Sequence, residues 1–212
     1  MAIYLKTLGG EHPDVATSYN IIGLALDNKG ESDKALEYYE KSLVIRLKTL
    51  GGEHPNVAVV YNNIGASWAL RNKGEYDKAL EYYEKSLPIY LKTLGGEHPD
   101  VATTYNNIGF AWMKKSEYYK ALDYYEKCLA IELKTLGGEH PSVANSYNNI
   151  GLAWDSKGEY EKSLEFYVLS SQIRFKKLGA SHNLTNKSIE NAKRVAKELG
   201  KENELPDWMK NN

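Results

Sequence analysis

A six-residue stretch, LGGEHP, gathers the residue types of several kinds of functional site. It holds a histidine, a carboxylate and a pair of glycines, and it first occurs at residues 8–13. Histidine and glutamate are zinc ligands, and glycine-rich loops bind phosphate. The stretch lacks the Gly-Lys-Ser/Thr of a phosphate loop, and it follows a helical pattern instead of a strand. The sequence therefore does not predict a phosphate site here.

The same stretch returns along the chain, and this changes its interpretation. Its histidines are separated by 42, 44, 42 and 42 residues. Neighbouring packed helices lie about 10 Å apart, whereas zinc ligands lie about 2.0–2.3 Å from one ion. One histidine per repeat therefore predicts a hydrogen bond that fixes a loop, and no metal site. The five histidines are His12, His54, His98, His140 and His182.

Catalysis would need a nucleophile, a base or a metal ligand that departs from the repeat pattern, and we find none. Cys128 takes the place of Ser42 and Ser86 in the repeated EKSL stretch. We interpret it as a small buried packing residue. The sequence therefore predicts a protein that is not an enzyme and that has no cofactor.

A second polar set recurs on the first helix of each repeat, beside the apolar packing stripe. An Asn amide carries two donor hydrogens and one acceptor oxygen. A row of amides could therefore bind the main chain of an extended peptide, with Leu24, Phe110 and Leu152 supplying side-chain pockets. The alternative is that the amides hydrogen-bond to adjacent helices and hold the array in shape. The candidate groove residues are Thr17, Asn20, Leu24, Val59, Asn62, Asn63, Ala66, Thr103, Asn106, Asn107, Phe110, Asn145, Asn148, Asn149 and Leu152.

The pattern within each repeat predicts two helices. Pro13 suits a first helical turn, where its missing N–H would be unpaired anyway. A second helix is predicted to begin near Asp33 and to end at Gly51 and Gly52, since glycine accepts the left-handed cap conformation. No segment alternates with a period of two, so we expect no sheet. The first apolar stripe consists of Val15, Ala16, Tyr19, Gly23 and Leu26.

The repeats divide the chain into one predicted array, residues 1–200, and a C-terminal tail, residues 201–212. Residues 1–11 are predicted to be a partial helix of a preceding repeat, because IYLKTLGG at the start recurs at 89–96. Residues 182–200 predict a capping helix, onto which Trp208 is expected to fold back. The complete repeats are 12–53, 54–97, 98–139 and 140–181.

Two features interrupt the pattern in the second repeat. Two extra residues must lie at the end of the first helix or in the turn, near Ala69 to Asn72, since an insertion inside the helix would rotate its face by about 200°. Pro88 lies within the second helix and predicts a kink, because proline removes a backbone hydrogen bond.

The repeats resemble tetratricopeptide repeats (TPR), whose signature is W-x2-L-G-x2-Y followed by A-x3-F. At 42 residues they exceed the common length of about 34, and in this they resemble the repeats of kinesin light chains and related cytoplasmic proteins. The resemblance implies an all-α fold, a right-handed α-solenoid of stacked antiparallel helix hairpins (a TPR superhelix), with the first helices on the concave side. The matching positions of the first two repeats are Tyr19, Ile22, Gly23, Leu26, Ala35, Tyr39, Tyr61, Ile64, Gly65, Trp68, Ala79 and Tyr83.

Composition excludes several classes of partner. Lys and Arg number 27 against 28 for Asp and Glu, which gives no support for nucleic acid or a membrane surface as the main partner. No apolar run approaches the roughly 20 residues of a membrane span. The N-terminus shows no signal peptide, and the single cysteine suits a reducing compartment. We therefore expect a cytoplasmic protein.

Two functions remain open from the sequence. The first is a non-catalytic protein–protein interaction module, or scaffold, that binds a peptide segment of a partner in its concave groove. The alternative is a structural spacer, or a self-assembling regulatory arm of a larger multidomain protein. In that case self-association would run through the N-terminal end, which the partial repeat leaves uncapped.

Overall fold

The computed structural model describes residues 9–71 and 74–210, and within these ranges all regular structure is helical. Most of the partial helix predicted for residues 1–11 lies outside the described residues. The helices are α1 (Pro13–Asn28), α2 (Ser32–Leu50), α3 (Pro55–Leu70), α4 (Tyr76–Leu94), α5 (Pro99–Lys114), α6 (Tyr118–Leu136), α7 (Pro141–Lys157), α8 (Tyr160–Leu178), α9 (Asn183–Glu198) and α10 (Asp207–Lys210), with a 3₁₀ turn at Glu202–Glu204.

The chain forms two compact units, the first ending at Lys115 and the second beginning at Ser116. The first unit contains α1 to α5, and each helix packs on the next. Its odd-numbered helices, which open the repeats, also contact one another. The second unit contains α6 to α10, in which α7 packs on both α6 and α8, and α9 packs on α8. Helix hairpins are therefore the building block of both units.

Glycine and proline set the limits of these helices. The first helices α1, α3, α5 and α7 begin with the proline that follows the repeat histidine. The second helices are each 19 residues long and end before a glycine with a φ of 79–85°. A left-handed φ favours glycine, which has no Cβ to clash. The glycine pair is therefore a helix stop, as predicted.

The two extra residues of the second repeat lengthen the connection between its two helices. Helices α1 and α3 both have 16 residues. Three residues, 29–31, connect α1 to α2, whereas α3 ends at Leu70 and α4 begins only at Tyr76. The helical faces therefore keep their register, and the predicted place of the insertion is confirmed.

Pro88 does not interrupt α4. This helix is continuous from Tyr76 to Leu94 and is as long as the other second helices. Proline inside a helix removes one backbone hydrogen bond and crowds the carbonyl four residues earlier, which costs about 3 kcal/mol. Helix α4 packs on α3 and α5 and remains helical despite this cost.

In the first, second and fourth repeats, a tyrosine of the second helix lies against the glycine of the first helix. A Cβ added to Gly23 would lie 2.5 Å from the ring of Tyr39, and one added to Gly65 would lie 2.6 Å from that of Tyr83. Both rings are buried, and burial raises the pKa of both phenols. The predicted reason for glycine inside these helices, close helix packing, is confirmed.

The C-terminal tail folds back on the second unit. Leu205 and Met209 are buried in a cluster with Ile189 and Val195 of α9. The ring of Trp208 lies 4.6 Å from that of Phe175 on α8. Helix α9 and the tail pack on α8 of the last repeat, and Trp208 folds back onto it as expected. Among the residues described, no helix is long and apolar enough to cross a membrane.

Candidate functional site

The repeat histidines cap the first helices. In each case the ring Nδ1 accepts a hydrogen bond from the backbone N–H two residues later, at 3.1–3.2 Å. The first N–H groups of a helix have no partner within the helix, and an acceptor placed there stabilises the helix end. The histidine therefore accepts a hydrogen bond that fixes the loop, as predicted. The described residues contain no group of three His, Cys, Asp or Glu arranged to hold a metal.

The glutamate of the same stretch also contributes to the structure of the loop. Glu53 accepts from Lys92 of α4 at 2.5 Å, and Glu11 and Glu139 form ion pairs with Lys48 and Lys176 at the matching positions. These pairs are exposed to solvent, where an ion pair contributes little. The histidine and the glutamate of the repeated stretch therefore both make contacts that support the structure of the loop.

The candidate groove residues differ widely in exposure. Asn20 is only 8% exposed. Exposed members are Thr17, Leu24, Thr103, Phe110, Asn145 and Leu152, whereas Val59, Asn62, Asn63, Ala66, Asn106, Asn107, Asn148 and Asn149 are half-buried.

Some of the amides join neighbouring helices. Asn63 donates from Nδ2 to Oδ1 of Asn20 at 3.0 Å and so connects α3 to α1. Thr104 of α5 donates to Oδ1 of Asn62 at 3.5 Å. The buried Oδ1 of Asn148 has no hydrogen-bond partner among the residues that the structure describes. In the first unit, Asn20, Asn62 and Asn63 therefore take part in hydrogen bonds between adjacent helices, as in the alternative interpretation.

The solvent-facing side of the first helices is rotated by one residue from the predicted stripe. On α1 it carries Thr17, Ile21, Leu24 and Asn28, all exposed. The positions of Asn20 and Asp27 instead face the helix contacts, where Asp27 accepts from Tyr39 at 3.0 Å and from Ser67 at 2.8 Å. We call the solvent-facing positions the exposed row. The matching positions on the other first helices of complete repeats complete this row. The exposed ones are Leu70, Thr103, Phe110, Lys114, Asn145, Leu152 and Ser156, and the half-buried ones are Val59, Asn63, Ala66, Asn107 and Asn149.

Two large apolar residues of the exposed row were not among the sequence candidates. Ile21 is 59% exposed and Leu70 is 62% exposed. Ile21 takes the position at which the later repeats carry Asn63, Asn107 and Asn149. A spacing of four from Thr17, in place of three, would have found Ile21 in the sequence.

In the first unit the exposed row is mostly apolar or amide. Lys114 is the one charged residue of the row in this unit, and its ammonium nitrogen lies 5.3 Å from the ring centre of Phe110. The other side of Phe110 meets Tyr76 of α4 edge-on, with ring centres 6.5 Å apart. This ring is therefore held in a fixed place while 38% of its surface remains open to solvent.

In the second unit a larger share of the exposed row is polar than in the first unit. Asn145 accepts at 2.9 Å from the guanidinium of Arg174, which also donates to the backbone oxygen of Leu184 at 3.1 Å. Arg174 is buried, and this burial lowers its pKa. The cap helix α9 carries Arg194 at the position of Leu152, and Arg194 forms an ion pair with Asp155. On this face of the second unit, polar contacts therefore stand beside one large exposed apolar side chain, Leu152.

Family models described as "Tetratricopeptide repeat" match residues 15–56, 66–112 and 100–174. No curated protein matches the sequence. A crystal structure described as a Podosopora anserina putative kinesin light chain with nearly identical TPR-like repeats is 25% identical and superposes with a TM-score of 0.77, over 91% of this chain and 90% of that one.

Two further crystal structures share the fold at lower identity. BtubC (BKLC) from P. vanneervenii is 21% identical with a TM-score of 0.79, over 90% of this chain and 75% of that one. The apo form of RapI is 19% identical with a TM-score of 0.72, over 87% of this chain and 49% of that one. The predicted fold class, an all-α solenoid built of helix hairpins, is confirmed.

Proposed function

Because the chain belongs to the tetratricopeptide-repeat family, with repeats like those of kinesin light chains, we propose that it is a non-catalytic interaction module. It binds a peptide segment of a partner protein in the groove lined by its first helices, on the concave side. The observation that carries the proposal is the exposed row of the first unit. Ile21, Leu24, Leu70 and Phe110 present large apolar side chains to solvent there.

Exposed apolar side chains grouped on one face are typical of interaction sites. Here they alternate with amides and hydroxyls such as the exposed Asn28 and Thr103, which can pair with the main chain of a ligand. The row suits a segment with apolar side chains and little charge, since an acidic ligand would find only Lys114 as an ion partner on the row of the first unit. Apolar anchors supply the affinity and the amides set the direction of the chain.

The experiment is a selection followed by point variants. A displayed library of random peptides is panned against the full chain, and the peptides obtained are measured against Leu24→Lys and Phe110→Lys. Loss of an apolar side chain that the ligand buries reduces affinity about tenfold or more. Leu133→Lys is the matched control, because Leu133 is equally exposed on the second helix α6. Peptides that bind both groove variants as tightly as the natural chain would refute the groove.

The alternative function, a structural spacer or self-assembling arm, is favoured by one observation. Ile22 is only half-buried, whereas Ile64, Ile108 and Ile150 at the same position are at most 1% exposed. The apolar side of α1 thus lacks the full cover that the later first helices have. Light scattering over a range of concentrations separates the two functions. Self-association that Ile22→Lys abolishes supports the arm, and a strict monomer at high concentration excludes it.

A further inference from the structure

The second helix of the fourth repeat departs from the others at two adjacent positions. In the first three repeats a Glu-Lys pair occupies them, at 40–41, 84–85 and 126–127, and the lysine stacks on a tyrosine ring 4.6–4.9 Å away. In α8 the same positions hold Val168 and Leu169. An exposed, charged pair has therefore become apolar at one place in the chain.

The cap accounts for only one of the two residues. Val168 packs against the cluster that contains Leu205 and Met209. Leu169, by contrast, remains 40% exposed. The other second helices carry a lysine at this position, which is exposed to solvent. Packing within the chain therefore does not explain why α8 carries a leucine there.

Leu169 lies in an open groove between α8 and the start of the tail. The groove has a volume of about 610 Å³, within the range of about 300–1,000 Å³ of ligand pockets. Its apolar lining consists of Leu164, Val168, Leu169, Leu205 and Pro206.

The rim of this groove is acidic. Glu161, Glu165 and Glu204 stand around the apolar lining together with one cation, Lys201. None of the three carboxylates forms an ion pair with a residue that the structure describes, although the glutamates of the repeat loops and turns do. The groove therefore offers apolar surface inside an excess of unpaired negative charge.

We propose that this groove, which we call the tail groove, docks a short partner segment that carries apolar side chains flanked by Lys or Arg. The leucines of such a segment cover Leu164 and Leu169, and its cations meet Glu161, Glu165 and Glu204. The site is separate from the first-helix face, so the chain would hold two segments at once. Residues 161–169 span about 12 Å of helix, which matches three or four residues of extended chain.

The probe is an acetylated and amidated peptide of about six residues in which lysine and leucine alternate. In an extended chain this pattern places the leucines on one side. A matched peptide has glutamate in place of lysine. Both are titrated into the ¹⁵N-labelled full chain, and amide shifts are followed by NMR. We expect saturable shifts at 161–169 and 201–206, at least fivefold weaker binding of the acidic peptide, and weaker binding of the basic peptide as salt is raised.

The key variant is Leu169→Lys, which restores the residue of the other repeats and so keeps the fold. It should weaken the basic peptide about tenfold, and Glu165→Gln should weaken it severalfold. Leu133→Lys, the control on α6, should leave it unchanged. Equal affinity of the basic and acidic peptides, natural affinity in Leu169→Lys, or shifts confined to the first-helix face would each overturn the tail groove. The last result would leave the proposed function intact.

Discussion

At the scale of single residues, five histidines each accept the same kind of hydrogen bond, at the start of five helices. Histidine is not among the preferred N-cap residues, yet each ring nitrogen lies within 3.2 Å of the N–H that it caps. In four of these places a proline follows the histidine, where it fixes the first helical residue and needs no acceptor itself, whereas Asn183 follows His182. Histidine and proline thus form one helix start that is repeated along the chain.

His54→Ala tests this cap. The change removes the acceptor for the N–H of Asn56 at the start of α3. We expect the free energy of unfolding to fall by about 1 kcal/mol in urea denaturation. His54→Asn, which returns an acceptor at a favoured cap residue, should recover most of the loss. Equal stability of all three proteins would show that the hydrogen bond does not stabilise the helix.

Gly65→Ala tests the contact between glycine and tyrosine. Helix propensity alone predicts a gain of about 1 kcal/mol. The new methyl group would lie 2.6 Å from the ring of Tyr83 and 3.0 Å from the backbone oxygen of Ala79, and overpacking costs about 1–3 kcal/mol. Because the backbone oxygen cannot move aside, we expect net destabilisation.

Thermal unfolding measures this balance. Gly52→Ala is the control, since the nearest atom to its added Cβ lies 4.0 Å away, and it should change stability by less than about 0.5 kcal/mol. A more stable Gly65→Ala protein would mean that propensity outweighs packing at this site.

At the scale of helices, regular spacing made most of the fold predictable. Helix starts and glycine stops followed from positions that recur in the repeats, and the place of the two-residue insertion followed from comparing the repeats. The rotation of the first helices did not follow. A stripe with spacings of three and four fits a helix in two neighbouring rotations, and the part-buried hydrogen bond between Asn63 and Asn20 forms in only one of them. A hydrogen bond between residues 43 positions apart leaves no mark in the local pattern.

Pro88→Ala tests how α4 bears its proline. The residue is exposed, and the helix is unbroken around it. Alanine restores a backbone hydrogen bond, so we expect the free energy of unfolding to rise by up to about 3 kcal/mol in urea denaturation. Val44→Ala at the matching, exposed position of α2 should change stability by less than about 0.5 kcal/mol. A loss of stability in Pro88→Ala would show that the array depends on the proline.

At the scale of the whole molecule, the repeat pattern determines the fold, and departures from it indicate function. The helix starts, the loops and the glycine–tyrosine contacts serve the architecture and recur from repeat to repeat. Ile21, Leu70 and Leu169 have no such role and stand exposed. The sequence predicted a peptide-binding face on the first helices but placed it partly on buried amides. Exposure depends on how neighbouring helices cover each other, and a single repeat does not contain that information.

The most direct test of the central claim is where a bound peptide lies. A photo-reactive phenylalanine analogue replaces Leu24 on the first-helix face in one protein and Leu133 on α6 in another. Each is irradiated with a peptide selected against the natural chain. We predict a cross-link from position 24 that excess unlabelled peptide suppresses, and none from position 133. Cross-linking from position 133 alone would contradict the claim that the first helices bind the partner.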